Sequence, residues 1–178
     1  MKFQNCLFLI LLIVCLSCQS KKTDKQTGIE STLFYTNPVI GGGSEPWAIF
    51  HEGKYYYTQS LADCIILWET DDITQLAEAA KKNVYSPQNA PGISHLWGPE
   101  IHYMDNKWYI YCAADDGNID NRQIYVLENE SPDPMKGEFV MKGRISTDKD
   151  NNWAIDGSVF EHNGELYLVW SGWQTRRV

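Results

Sequence analysis

Cysteine and basic residues are both scarce in this chain. Only Cys64 and Cys112 follow Cys18, and both lie in apolar, strand-like runs. We therefore expect buried thiols rather than a disulfide, and no spacing typical of a metal site is present. Lys and Arg number 15 against 23 Asp and Glu, which gives a formal net charge of −8. An acidic chain has no general affinity for nucleic acid or anionic lipid, so functions that depend on a basic patch are excluded.

Long apolar runs are absent except near the N-terminus. Residues 7–14 are uninterrupted apolar and follow Lys2. This run is too short to span a bilayer but suits a secretory signal over residues 1–17. It ends at Cys18 after a small residue, which resembles a bacterial lipoprotein box and predicts lipidation of Cys18; a plain secretory signal is the alternative. The polar residues 18–31 are then a flexible tether, and the protein is expected outside the cytoplasm, held to a membrane by its lipid alone.

Aromatic residues are abundant: the chain contains seven Trp, ten Tyr and six Phe. A β-rich protein explains them because aromatic side chains suit half-buried pleated surfaces. A sugar-binding surface, where flat rings cover the apolar faces of sugars, is the second and less favoured interpretation. Both interpretations stay open from composition alone.

One hairpin pattern occurs three times after residue 32. Each copy is an apolar run, a two-residue turn and an aromatic run, and the turns are Glu52-Gly53, Asp105-Asn106 and Asn163-Gly164. The start of the second run recurs 53 and then 58 residues later, at Lys54, Lys107 and Glu165. Further strands are predicted at residues 65–70 and 123–128.

A period of about 55 residues with three or four strands per unit is typical of β-propeller blades. Residues 32–178 hold about two and a half such units, and we expect the chain to be part of a longer propeller. Residues 72–82 have helical composition and predict a surface turn or small helix between blades.

Three segments resemble the family 43 glycoside hydrolases, five-bladed β-propellers that release arabinose or xylose from plant polysaccharides. They are residues 37–47, residues 95–111 and residues 153–160, in the order and spacing of that family. The resemblance implies an all-β five-bladed propeller of which the first two and a half blades are present. Its nearest branch is that of the α-L-arabinofuranosidases.

The resemblance also implies a mechanism, inverting hydrolysis by a general base and a general acid. It places Glu45 at the position of the base and Asp156 at that of the carboxylate that modulates the pKa of the acid. The acid itself is expected beyond Val178, so the chain alone is expected to be inactive. No cofactor is required, and although the family allows a central calcium or sodium ion, no ligand set can be read from the sequence.

Glu45 departs from the family, which has Asp at this position. The extra methylene moves the carboxylate by about 1.5 Å, and a misplacement of about 1 Å can lower a rate roughly a hundredfold. Glu45 is therefore a base after backbone adjustment or part of a protein that binds glycan without cleaving it. Structural alternatives are a turn carboxylate for Glu45 and an Asx turn for Asp156.

Other aromatic and ionisable residues divide into site and core candidates. Trp47, His95 and Trp97 are candidates for sugar binding, with a turn role as the alternative for His95. Glu100 is interpreted as structural. Core positions are predicted for Trp68, Trp108 and Trp170, and blade packing or turn roles are predicted for His51, His102 and His162.

Three functions from different classes remain. The first is a glycosidase acting on arabinose- or xylose-containing polysaccharides, and the second is a non-catalytic glycan-binding surface lipoprotein on the same scaffold. The third is a propeller used for protein–protein contact, which needs no converging carboxylates. The sequence does not choose between arabinose and xylose or between exo and endo cleavage.

Overall fold

The three predicted hairpins form, and each has its turn at the predicted pair of residues. In the computed structural model, which describes residues 35–61, 64–89 and 92–173, both residues of every turn have positive φ. The strand residues flanking the turns pair directly: His51 with Lys54, Met104 with Lys107 and His162 with Glu165. These are type I′ turns, whose twist matches that of antiparallel strands.

The strands are arranged as three antiparallel sheets in chain order. Two four-stranded sheets have the orders β1-β2-β3-β4 and β5-β6-β7-β8, and β9 pairs with β10 in a third sheet. The strands are β1 (Ser44–His51), β2 (Lys54–Leu61), β3 (Cys64–Thr70), β4 (Ala80–Tyr85), β5 (Ser94–Met104), β6 (Lys107–Asp115), β7 (Gln123–Asn129), β8 (Val140–Ile145), β9 (Trp153–His162) and β10 (Glu165–Trp173). Short 3₁₀ helices lie at Ile73–Glu78, Pro87–Asn89 and Ile119–Asn121. The all-β prediction is confirmed, as are the strands predicted at 65–70 and 123–128.

The sheets pack as successive blades of a propeller. The first strands lie side by side, because β5 contacts both β1 and β9. The main core cluster lies between the first two sheets and includes Ile65, Leu67, Ile101, Trp108 and Leu127. Hydrogen bonds join the blades as well: the Trp47 indole N–H donates to the Ile101 carbonyl at 2.9 Å. The described residues are therefore two complete blades and the first hairpin of a third.

The segment predicted as a turn or small helix at 72–82 is partly wrong. A 3₁₀ helix does form at Ile73–Glu78, capped by the Asp72 side chain, which accepts from the Thr74 N–H. Residues 80–82 instead begin β4 and pair with β3. The hydrogen-bonding edge of β3 overrides helical composition in so short a segment.

The predicted core aromatics are confirmed at two positions and wrong at the third. Trp68 and Trp108 are buried, but Trp170 is 42% exposed. Trp170 lies on β10, which pairs only with β9 among the described residues, and it is left partly open to solvent. Cys112 is buried, which raises the pKa of its thiol to about 12, and it forms no disulfide with the half-buried Cys64.

The histidines of the hairpins divide by blade. His51 packs on Tyr103 at 4.1 Å between ring centroids, and His102 packs on Trp47 at 5.2 Å, so both have the predicted packing role. His162 is exposed in the third hairpin, next to the Asn163 turn residue. The predicted signal peptide, Cys18 and tether lie outside the described residues. Within the ranges that are described, no helix has the length and apolar character needed to span a membrane.

Candidate active site

The same β-bulge interrupts the first strand of every blade. In β1, Glu45 and Pro46 together oppose one residue of β2, and in β9, Asp156 and Gly157 oppose one residue of β10. Gly98 and Pro99 do the same in β5. A bulge re-aims a side chain and is common next to active sites.

The first residue of each of these bulges has a left-handed backbone. The φ values are 54° for Glu45, 52° for Gly98 and 53° for Asp156. Left-handed backbone is uncommon for residues other than glycine and is held only where the surrounding structure determines it. The repeat therefore presents a carboxylate, a glycine and a carboxylate at one equivalent position in three successive blades.

The two carboxylates converge over Gly98. A Cβ built on Gly98 would stand 3.8 Å from Asp156 Oδ1 and 3.9 Å from the carboxyl carbon of Glu45. The glycine thus leaves open a space that both side chains border. A cavity of about 190 Å³ occupies this region and is lined by both carboxylates together with Trp47 and Glu100.

The close approach of the third blade to the second also depends on a glycine. A Cβ on Gly157 would stand 2.7 Å from Ile124 Cδ1 of β7, which is too close for a real contact. Gly157 therefore allows β9 to lie against the second blade and sets the position of the neighbouring Asp156. The Ala154 N–H donates to the Arg122 carbonyl at 3.1 Å and fixes the same approach.

Two donors hold one oxygen of the Glu45 carboxylate. The Gly98 N–H donates to Glu45 Oε2 at 2.8 Å, and the Ser60 hydroxyl donates to the same oxygen at 2.9 Å. The Gly98 N–H also lies 3.0 Å from Ser60 Oγ. Glu45 is exposed, and Oε1 is left for the cavity. The longer Glu side chain is therefore fixed at its far end by Ser60 of its own blade and by Gly98 of the next blade.

Asp156 is less constrained than Glu45. Its side chain is exposed, and no hydrogen bond to its carboxylate is formed by residues 35–61, 64–89 or 92–173. The Asx turn considered for this residue is therefore not formed within those ranges. The carboxylate is available to a group that enters the cavity.

Trp47 and Trp97 each border a cavity that Glu45 also lines. Trp97 lines a second cavity of about 430 Å³ together with Glu45 and Ser60. Trp47 lines the smaller cavity, but its indole N–H is occupied by the Ile101 carbonyl and its ring packs on His102. Glu100 reaches that cavity too, with Oε2 3.4 Å from His102 Nε2. Trp47 thus combines a packing role with a place at the site.

His95 lies at the start of β5, outside both cavities. Its ring Nδ1 is 2.8 Å from Oδ1 of the buried Asp115, and half of its side-chain surface is exposed. The structure does not place its ring among the residues that line the cavities, although Leu96 and Trp97 follow it directly in the second cavity.

Asp115 belongs to a buried charge cluster that sequence analysis missed. Arg122 Nη2 donates to Asp115 Oδ2 at 2.6 Å, and both side chains are fully buried. Burial raises the pKa of Asp115, but hydrogen bonds from His95, Arg122 and the Gly117 N–H outweigh it, so the net pKa is lowered. Asp115 therefore stays ionised in its buried position.

Ser60 and Gly98 also escaped sequence analysis. Gly98 could have been found, because aligning the three repeats places it level with Glu45 and Asp156. Ser60 gives no such signal, since a serine at the end of a strand is common. No three His, Cys, Asp or Glu side chains within the described part of the chain are grouped to bind a metal ion.

Comparison with known proteins agrees with this architecture. The profile described as "Glycosyl hydrolases family 43" matches residues 35–178. The chain belongs to glycoside hydrolase family 43. It is 32% identical over 142 residues to a protein of Streptomyces chartreusis named extracellular exo-α-(1→5)-L-arabinofuranosidase, covering 77% of this chain and 43% of that protein.

Two further family relatives extend the comparison. A protein of the same name from Streptomyces avermitilis is 32% identical over 146 residues, covering 79% of this chain and 30% of that protein. The crystal structure of an α-L-arabinofuranosidase from Lactobacillus brevis aligns with a TM-score of 0.72 and 32% identity, covering 79% of this chain and 47% of that one. The chain thus spans less than half the length of these relatives, and its fold is that part of a five-bladed family 43 propeller.

Proposed function

We propose that this chain forms part of a glycosidase that cleaves α-L-arabinofuranosidic bonds in plant-type polysaccharides with inversion. The observation that carries the proposal is the convergence of Glu45 and Asp156 over the open space at Gly98. A water molecule held in that space would contact the free Oε1 of Glu45, which accepts its proton as it attacks the sugar. Arabinose is favoured over xylose because relatives at 32% identity carry arabinofuranosidase names.

Each residue then has a distinct role. Ser60 and Gly98 hold Glu45 Oε2, so Oε1 keeps a fixed direction when the substrate binds. Fixed placement of a reacting group supplies much of the rate enhancement in enzymes. Asp156 lies on the other side of the space and modulates the general acid, which comes from sequence outside residues 35–173. The chain alone is expected to lack hydrolysis of unactivated glycosides because general acid catalysis is worth roughly 10²–10⁴ in rate.

The test is hydrolysis of 4-nitrophenyl α-L-arabinofuranoside by a polypeptide that carries this chain within a complete propeller. Glu45→Gln and Asp156→Asn are each expected to lower kcat/KM at least about a hundredfold. Glu165→Gln, at an exposed carboxylate on β10, is the matched control and should keep full activity. Azide should restore turnover to Glu45→Gly, because a small anion fits the space left by the side chain. Full activity in both site variants would exclude the proposed roles.

A glycan-binding protein without turnover is the second candidate. This candidate is favoured by Glu45, which replaces the Asp of the family. One of its carboxylate oxygens accepts hydrogen bonds from Ser60 and Gly98. Under this alternative, arabinotriose binds in calorimetry while the aryl arabinofuranoside is not cleaved. A protein that neither binds arabinotriose nor cleaves the aryl arabinofuranoside would contradict both candidates.

We also propose that the protein is anchored outside the cytoplasm through a lipid on Cys18. The apolar run at 7–14 followed by Ser17-Cys18 supports the anchor, and the word "extracellular" in the names of two relatives supports the location. Cys18→Ala should move the protein from the membrane to the soluble fraction, while Cys15→Ala should leave it on the membrane. Membrane attachment that survives Cys18→Ala would contradict the anchor.

A further inference from the structure

The buried pair of Asp115 and Arg122 contacts Trp97, a residue of the candidate site. Asp115 ends β6, and Arg122 follows the 3₁₀ helix Ile119–Asn121. Their side chains have no exposed surface and are joined at 2.6 Å. Removing two charges from water costs free energy, and the attraction between them does not by itself offset that cost. A buried ion pair is therefore weak evidence for stability. Its contacts with other residues indicate what it does.

Arg122 contacts the aromatic wall of the larger cavity. Its guanidinium carbon lies 3.3 Å from the centroid of the Trp97 ring. Nε and Nη1 of Arg122 are buried and have no hydrogen-bond partner among the described residues. The guanidinium thus stacks on the indole through its flat face, while two of its nitrogen atoms make no hydrogen bond within those residues. Arg can make this planar contact and Lys cannot.

Asp115 fixes the orientation of the guanidinium. One carboxylate oxygen accepts from Arg122, and the other accepts from His95 Nδ1 and from the Gly117 N–H at 3.0 Å. Because a carboxylate only accepts, His95 Nδ1 carries the hydrogen in this bond. Asp115 therefore ties together His95, which lies two residues before Trp97 in the sequence, and Arg122, which lies on the Trp97 ring.

Trp97 contacts Arg122 through one face of its ring and is also one of the residues that line the larger cavity. It is half-buried and borders the cavity that contains Glu45 and Ser60. With the guanidinium on one face, the indole cannot rotate without breaking a buried contact. A ring whose plane is fixed loses less conformational freedom when a ligand stacks on it, so affinity for that ligand rises.

We propose that Asp115 and Arg122 are positioning residues that fix Trp97 as the surface on which a pentose ring of the glycan packs. The identity of the ligand rests on the proposed function, whereas the ordering of the indole does not. The ligand class is a neutral arabinose oligosaccharide, whose C–H face is apolar. Trp97 would contact the sugar, and the ion pair would act only through Trp97.

The first measurement follows the Trp97 ring without a ligand. Incorporation of 5-fluorotryptophan gives ¹⁹F signals, and loss of one signal in Trp97→Phe assigns that residue. Arg122→Lys keeps the charge but removes the planar stacking, so the Trp97 signal should shift and broaden while that of the buried Trp68 stays unchanged. The paired variant Asp115→Asn with Arg122→Met should do the same; it leaves no unpaired buried charge and so folds even if a single variant does not.

The second measurement is the affinity for arabinotriose. Both variants should bind it at least about tenfold more weakly than the unaltered protein, while the melting temperature of the paired variant stays close to the original. The matched control is Lys107→Met with Glu130→Gln, which removes an exposed 2.6 Å ion pair and should change neither the Trp97 signal nor the affinity.

The outcomes separate this inference from the proposed function. An unchanged Trp97 signal and unchanged arabinotriose affinity in Arg122→Lys and in the paired variant overturn the inference. If the unaltered protein does not bind arabinotriose, the proposed function and the sugar contact both fail, and the ¹⁹F signal alone decides whether the pair orders Trp97. A changed signal with full affinity shows that ordering Trp97 does not serve sugar binding, which also overturns the inference.

Discussion

At the scale of the residue, one position of the repeat carries the candidate chemistry. Glu45, Gly98 and Asp156 have nearly the same φ, and each begins a bulge in the first strand of its blade. Two of these positions carry carboxylates and the middle one carries none. The middle blade thereby provides space and a backbone N–H donor, while its neighbours provide the charged groups.

Gly98→Ala should strongly reduce turnover at a modest cost in stability. The new Cβ would lie within 4.0 Å of both carboxylates and occupy the space between them. We expect turnover of the aryl arabinofuranoside to fall at least about a hundredfold, with a loss in stability of about 1–2 kcal/mol from the left-handed backbone. Gly53→Ala is the control, since Gly53 also has positive φ and has nothing within 4 Å. Equal turnover in the two variants would show that the space at Gly98 is not used.

At the scale of the element, the three hairpins differ mainly in how well their turn residues suit a type I′ turn. The third blade has Asn-Gly, the favoured pair, whereas the first has Glu52 at φ 47°. Glu lacks the short polar side chain that lets Asn adopt a left-handed backbone. The first hairpin is therefore stable because of its packing rather than its turn sequence.

Glu52→Asn should stabilise the protein by converting the first turn to the sequence of the third. Relief of the left-handed strain predicts a gain of about 0.5–1 kcal/mol in the free energy of unfolding, measured by urea denaturation. The same substitution at the exposed Glu165 in β10 should give no gain, because Asn is disfavoured in strands. A loss of stability in Glu52→Asn would mean that the Glu52 side chain has a stabilising contact.

At the scale of the whole molecule, a set of ion-paired and hydrogen-bonded carboxylates makes stability depend on pH. The groups with a lowered pKa are Asp72, Asp115, Asp116, Glu128, Asp133 and Asp148. For Asp148, the largest cause is the backbone N–H of Asn152, which donates to it at 3.1 Å. These carboxyl groups hold fewer protons in the folded state than in the unfolded chain.

Acid should therefore unfold the protein over a defined range. The stabilisation is complete above the ordinary carboxyl pKa of about 4 and is lost as the pH falls through the lowered values. Urea midpoints should be similar at pH 7 and 5.5 and should fall steeply below pH 4. Asp148→Asn should make the urea midpoint fall less steeply with decreasing pH. Asp150→Asn should not, because the Asp150 side chain accepts no hydrogen bond from the described residues. A midpoint independent of pH down to 3 would contradict this assignment.

The third hairpin has an apolar, exposed surface. The exposed side chains on β9 and β10 are Phe160, Leu166, Tyr167, Val169, Trp170 and Trp173. Among described residues, β10 is also an edge strand with a partner on one side only. Exposed apolar faces and unpaired strand edges both promote association.

The 178-residue chain should accordingly self-associate through this hairpin. Light scattering after size exclusion should give a mass that rises with concentration, and the pair Leu166→Thr and Val169→Thr should lower it while keeping strand propensity. Val140→Thr is the control, since Val140 is 56% exposed on β8. A constant monomeric mass would rule out association through this surface.

Much of the fold was predictable because its signals are local. The turn pairs and the alternation of apolar residues predicted the three hairpins, and their spacing predicted blades. The strand at 80–82 and the exposure of Trp170 were not predictable, because each depends on which strand edge or neighbouring sheet lies beside the segment. Of the site, Glu45, Asp156, Trp47 and Trp97 were named from the sequence and lie at the cavities, while His95 lies behind them with Asp115.

The sequence by itself determined the three hairpins, their turns and the identity of the residues that carry charge, since backbone preference and side-chain alternation act over a few residues. Only the tertiary structure decided that Ser60 and Gly98 hold Glu45, and that Arg122 lies on Trp97. Those contacts join residues from different strands or blades. The contacts of Glu45 depend on the bulges that begin at Glu45 and Gly98, and in a close-packed interior a small backbone shift would separate the partners.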